Sequence, residues 1–184
     1  MEVNERIVEE YIKTVKGWFY MTDILFEVPH NYSNIDILAY NPKDDKYYDL
    51  EVKYRSEFSL PKKNITDNKE FQKFIKQFLR DERQKEIERI IGTNNKEKVV
   101  KVFVTTHKCF GTKNDIEETF KDILKKEKGF YSEVWYFDKI IQELVEKTNE
   151  KGKHNTELMQ TIRLIKKHMM DTLPVLATEK MSIT

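Results

Sequence analysis

Two stretches, Asn34-Ile35-Asp36-Ile37-Leu38-Ala39-Tyr40 and Tyr47-Tyr48-Asp49-Leu50-Glu51-Val52-Lys53-Tyr54, decide how this 184-residue chain folds. Both are short runs of strand-forming residues, and both carry charge inside an apolar pattern. Asp36 stands among apolar neighbours, while Glu51 and Lys53 flank Val52. Charges in such positions are costly unless something binds them. Asn41-Pro42-Lys43-Asp44-Asp45 supplies turn chemistry between the runs, so they read as neighbouring antiparallel strands.

That pairing sets Asp36 beside Glu51 at about 5 Å. Lys53 lies two residues beyond Glu51 and projects from the same face. Carboxylates this close repel each other unless a cation compensates, and an all-oxygen donor set favours Mg2+ or Mn2+ over zinc. Such an ion polarises a phosphoryl oxygen and lowers the pKa of a water, and Lys53 is placed to orient that water or to steady developing charge. A Glu-X-Lys triplet alone is no more than an edge-strand alternation with both charges solvated. Asp36 in its apolar run gives the triplet its meaning.

Outward from this pair, residues Glu5 to Lys16 carry Ile7, Val8, Tyr11, Ile12 and Val15 at helical spacing, and Gly17 suits a stop. Residues Trp18 to Val28 read as a strand preceding the pair. Ser56 to Asp67 reads as a loop, and Asn68 to Ile91 as one long helix with Phe71, Phe74, Ile75, Phe78 and Leu79 on a stripe and Gly92 as its stop. Val99 to Thr105 is a strand with an almost uninterrupted apolar core, Asn114 to Lys126 a helix and Ser132 to Phe137 a fifth strand. Asp138 caps a helix to about Thr148, and Asn155 to His168 forms a last one. Strands separated by helices imply parallel crossovers, so the order α-β-β-β-α-β-α-β-α-α predicts an α/β protein with a mixed central sheet flanked by helices.

The chain's 33 basic and 32 acidic residues nearly cancel, so no general basic footprint is present and any nucleic-acid surface must arise locally. A single cysteine excludes a disulfide framework and a cysteine zinc cluster. No signal peptide or membrane span is visible, and a soluble cytoplasmic protein is expected.

The first helix, the three-stranded meander and the Asp36 to Glu51-Val52-Lys53 spacing resemble the PD-(D/E)XK nuclease superfamily, the restriction-endonuclease-like fold that includes archaeal Holliday-junction resolvases. The likeness covers roughly residues 5 to 137, and Asn34-Ile35 stands where the family has a proline before the aspartate. The resemblance implies an αβββαβ core in a domain spanning residues 1–150. Residues 151–184 would then form a C-terminal helix and tail, packed on the core or at a dimer interface. It implies an Mg2+- or Mn2+-dependent deoxyribonuclease with Asp36 and Glu51 as metal ligands and Lys53 as the catalytic lysine. Many members add a glutamate from the first helix. Glu9 is favoured here, with Glu5 one turn away on the same face, and Glu10 points further round.

Arg55, Lys62 and Lys63 directly follow the triplet and are expected to meet a DNA strand. Lys69, Lys73, Lys76, Arg80 and Arg83 follow a 4-3-4-3 spacing that reads equally as a phosphate-tracking stripe or as a solvated outer face. His30, His107, His154 and His168 share no metal-ligand spacing, and Cys109 has no visible base partner. The expected function is a metal-dependent DNA endonuclease acting as a homodimer. The alternatives are an inactive nucleic-acid-binding or assembly module of the same fold, or an RNA-directed or partner-activated nuclease.

Overall fold

The computed structural model describes residues 2–54, 69–110, 115–148 and 156–180. Helix α1 (Val3–Tyr11) continues through one π-helical segment, Ile12–Lys16, to Gly17, whose φ of 66° is the left-handed stop that glycine adopts without cost. Strands β1 (Phe19–Val28), β2 (Asn31–Asn41) and β3 (Lys46–Val52) follow as an antiparallel meander. Helices α2 (Lys69–Phe78) and α3 (Asp81–Ile91) lead to β4 (Val99–Thr105). The short α4 (His107–Phe110) and α5 (Asp115–Lys128) lead to β5 (Tyr131–Tyr136), then α6 (Phe137–Lys147) and α7 (Glu157–Lys180). The strands form one sheet in the order β1-β2-β3-β4-β5, with β3, β4 and β5 parallel. The expected α/β class and mixed sheet are therefore present.

Each face of the sheet carries its own core. On one, Phe71, Phe74, Ile75 and Phe78 of α2, Ile87 of α3 and Phe120 and Leu124 of α5 pack on Phe26, Leu38, Val99 and Phe103. On the other, Val8 and Tyr11 of α1, with Ile12 after it, and Phe137, Ile140 and Leu144 of α6 pack on Ile37, Leu50, Val100, Val102 and Val104. Met159 of α7 joins this second core, and the Lys166 ammonium donates to the carbonyls of Val145 and Thr148 at the end of α6. The π segment carries Lys16 over the rings of Tyr11, Trp18 and Trp135, at 5.3, 5.7 and 5.4 Å from their centroids, which anchors α1 to the sheet.

Several boundaries differ from those expected. The helix read from Asn68 to Ile91 is two, because Arg80 adopts φ −57° and ψ 136° and breaks the helix before Asp81. No glycine or proline marks the break; Asp81 and Glu82 instead begin α3, where acidic groups favour a helix N-terminus. Asp138 lies inside the first turn of α6, and Tyr136 is the capping residue. Helix α4 was not legible, and α7 runs twelve residues past His168.

Three charged side chains lie in the first core. Asp49 of β3 is fully buried, as is Lys101 directly opposite it in β4, and Arg83 of α3 is 3% exposed. Arg83 donates to Asp49 through Nε (3.2 Å) and Nη2 (2.6 Å), and Lys101 Nζ donates to Asp49 Oδ2. Burial opposes the charge on Asp49, but Arg83 and Lys101 outweigh it and hold its carboxyl below the usual range. Burial, only partly offset by Asp49, draws the Lys101 amine down to about 8. Removing one member of such a cluster leaves an uncompensated buried charge. Asp49→Ala is therefore expected to cost about 3–5 kcal/mol in urea unfolding, with Asp49→Leu combined with Lys101→Met recovering most of it.

Candidate active site

The β2–β3 ladder pairs Leu38 with Asp49 and Ile37 with Leu50 and ends there, which leaves Asp36 beside the Glu51–Lys53 segment. Tyr48, Leu50 and Val52 point into the second core, and strand alternation turns Asp49, Glu51 and Lys53 to the opposite face. Asp36 sits at an irregularity. Ile35 belongs to the first core and Ile37 to the second, although residues two apart share a face in a regular strand. The β1–β2 ladder records Thr22 with Ile37 and Ile24 with Ile35 but not the pair between, where Asp23 has φ 51°. The strands thus change face at Asp36.

The carboxylates meet around one amine. Lys53 Nζ lies 2.9 Å from Glu51 Oε1 and 3.9 Å from Asp36 Oδ2. Asp36 Oδ2 also accepts the Val52 N–H at 2.7 Å, and Glu51 Oε2 accepts from Arg83 Nη1 at 2.6 Å. Exposure rises from 4% at Asp36 through 12% at Glu51 to 35% at Lys53, so the cluster opens to solvent on the lysine side. The Lys53 backbone is fixed: its N–H donates to Val104 O (2.9 Å), and Thr105 Oγ1 donates to its carbonyl (3.1 Å). This is the carboxyl-terminal edge of the parallel strands, where open α/β sheets bind ligands.

The two acids have unlike environments. Burial, and then the charge of Glu51, push the Asp36 carboxyl up to about 7 against the opposing pull of Lys53, the Val52 N–H and Arg83. Burial disfavours the Lys53 ammonium, yet Glu51 and Asp36 outweigh it and raise its pKa, so Lys53 is a cation at neutral pH.

The helix-one glutamates are engaged elsewhere. Helix α1 packs on the second core, across the sheet; Glu9 Oε1 accepts from the Tyr20 hydroxyl at 3.0 Å, and Glu5 Oε2 accepts from the Glu2 N–H in the helix cap. Glu10 accepts from Thr14. Among the described residues no group of three or more His, Cys, Asp or Glu forms a metal-binding cluster. Arg55, Lys62 and Lys63 lie outside the described residues. The expected basic stripe does not run unbroken, since it crosses the α2–α3 break and its last member, Arg83, is turned inward. Cys109 is buried, and burial pushes its thiol up to about 11, as suits an unreactive side chain.

The site residues that sequence reasoning missed are Arg83, Asp49 and Lys101. Arg83 shares a 4-3 helical spacing with Ile87 and Ile90, which marks it as inward-facing, and Lys101 interrupts the apolar run Val99 to Val104 as Asp36 interrupts its own. Compared with protein-family models, curated proteins and solved structures, the chain matches none.

A carboxyl whose folded pKa is raised binds its proton more tightly folded than unfolded, so the cost of ionising Asp36 is fully present above pH 7 and is relieved as pH falls towards 4. Asp36→Asn keeps an acceptor for Val52 without the charge. It is expected to raise the thermal midpoint at pH 8 by roughly 2 °C or more, with the gap to wild type shrinking towards pH 5. A gap that does not change with pH would contradict this assignment.

Proposed function

We propose that the protein is a PD-(D/E)XK-type nuclease that hydrolyses DNA phosphodiester bonds with Mg2+ or Mn2+, working as a homodimer where both strands of a duplex are cut. The observation that carries this reading is the meeting of Asp36 from β2 and Glu51 from β3 at Lys53, on the open strand edge. The order of one helix and three antiparallel strands, with the aspartate on the second strand, Glu51 on the third and Lys53 just past its end, supports it. The donor set suits a magnesium-type ion, which is commonly held by one or two carboxylates with water and substrate phosphate completing its shell.

Asp36 and Glu51 would hold the ion. Bound there, it supplies Lewis-acid polarisation of a phosphoryl oxygen and a water of lowered pKa. The chain's own residues do the rest. The Val52 N–H fixes the Asp36 carboxylate, and Lys53, kept as an ammonium by its two acidic neighbours, donates to the developing charge on the phosphoryl group rather than acting as a base. The backbone anchors at Val104 and Thr105 hold that amine at the strand edge.

One observation favours the alternative of a binding module without catalysis: both Glu51 oxygens already face cations, Lys53 and Arg83. Supercoiled, linear and branched DNA, with RNA alongside, incubated with Mg2+ or Mn2+ and compared with Lys53→Ala, separates the readings. The nuclease predicts cleavage by wild type and a loss of roughly 100-fold or more in the variant. Equal inertness on every substrate would hand the protein to the binding-module reading, and equal cleavage would remove Lys53 from the mechanism.

A further inference from the structure

The charges on the first-core face form a chain: Lys101, Asp49, Arg83, Glu51, Lys53, Asp36. Lys101 meets Asp49 directly across the β3–β4 pair, and Arg83 spans Asp49 and Glu51. The guanidinium is a planar fork that spends Nε and Nη2 on Asp49 and Nη1 on Glu51, and it sits 5.0 Å over the Phe78 ring. A group held at three points leaves its remaining partner little choice of rotamer. With Oε2 tied to Arg83, Glu51 turns Oε1 towards Lys53, the amine that also faces Asp36.

The fork also alters what the acidic pair can bind. With every member ionised the six-membered chain carries three negative and three positive charges, so the acidic pair has no net negative charge to offer before any cation arrives. A divalent ion entering a neutral group meets the repulsion of two nearby cations. The negative charge that favours its binding must then come from outside the protein, and a phosphodiester supplies it.

Resting on the nuclease reading, we propose that Arg83 is a positioning residue for Glu51, and that its charge keeps the acidic pair's own hold on a divalent ion weak until substrate phosphate joins the site. The arginine touches no reacting atom; it fixes the direction of one ligand and sets the order in which metal and nucleic acid bind productively.

Mn2+ titrations followed by the electron paramagnetic resonance of the free ion, with and without a duplex oligonucleotide, test this on wild type, Arg83→Met and Arg83→Lys, each checked for folding by circular dichroism. Wild type is expected to bind Mn2+ more tightly with the duplex present. Arg83→Met is expected to bind Mn2+ severalfold more tightly than wild type without DNA, while its turnover at saturating Mn2+ falls roughly 10- to 100-fold. Arg83→Lys keeps the charge but not the fork, so its Mn2+ affinity stays within about twofold of wild type while turnover still falls. An arginine of purely structural use would leave the Mn2+ affinity of folded Arg83→Met unchanged, and that result overturns the proposal, as does duplex-independent Mn2+ affinity in wild type. Should Arg83→Met fail to fold, wild-type turnover in Arg83→Lys overturns the positioning role and reduced turnover at unchanged affinity upholds it. A wild type that binds Mn2+ but cuts nothing leaves the affinity comparison to decide. A wild type that neither binds Mn2+ beside DNA nor cuts any substrate sinks the nuclease reading itself, whereas one that binds and cuts, with both variants matching it, sinks only the role of Arg83.

Discussion

The contact on which the rest of this architecture turns is the guanidinium of Arg83 lodged between Asp49 and Glu51. An arginine that deep is tolerated only with its donors satisfied, because desolvating the charge costs several kcal/mol. Reaching those carboxylates requires α3 to start afresh after Arg80 instead of continuing the line of α2. The break between the helices and the burial of the ion cluster are thus one structural decision. The surrounding Phe74, Phe78, Phe103 and Phe120 supply the apolar wall that makes each unsatisfied charge expensive and each satisfied one directional.

Along the same face the acids differ in how firmly they hold a proton. Asp49, gripped by two cations, is held ionised; Asp36, with burial and a neighbouring carboxylate against it, is lifted towards neutrality. Pairs of titratable groups driven apart by their surroundings are a recurrent basis for assigning chemical roles. Here the gradient runs from the closed middle of the sheet to the open end of its parallel strands. The face change of β2 at Asp36 contributes, since it delivers a carboxylate to this end from a strand whose next residue, Ile37, serves the other core.

Much of this was legible in the residue pattern. Period-two alternation and turn chemistry placed β2 and β3, and a charge breaking an apolar run identified Asp36, Glu51 and Lys53. The same sign at Lys101 was obscured because a valine-rich run reads as a buried strand with or without one lysine. Arg83 reads as outward-facing, on a phosphate-tracking stripe or a solvated face alike, because a single helix from Asn68 to Ile91 puts it in line with Lys69, Lys73, Lys76 and Arg80. Once Arg80 leaves helical geometry the phase resets, and Arg83 falls on the side of Ile87. A helix break made by tertiary packing has no glycine or proline to announce it. Glu9 was drawn to the site by its helix face, yet that face lies across the sheet and its carboxylate serves Tyr20, information that spacing within one helix does not contain.

The seam beneath Lys16 has an optical side. The chain has two tryptophans, Trp18 and Trp135, and their rings lie 5.9 Å apart with Tyr11 and Tyr48 against them. Tryptophan emission from this protein therefore originates at a single spot, where α1 meets the sheet, shielded by the thickness of that sheet from Asp36 and Glu51. It is a reporter of whether the first helix is docked, and nearly blind to what occupies the acidic end.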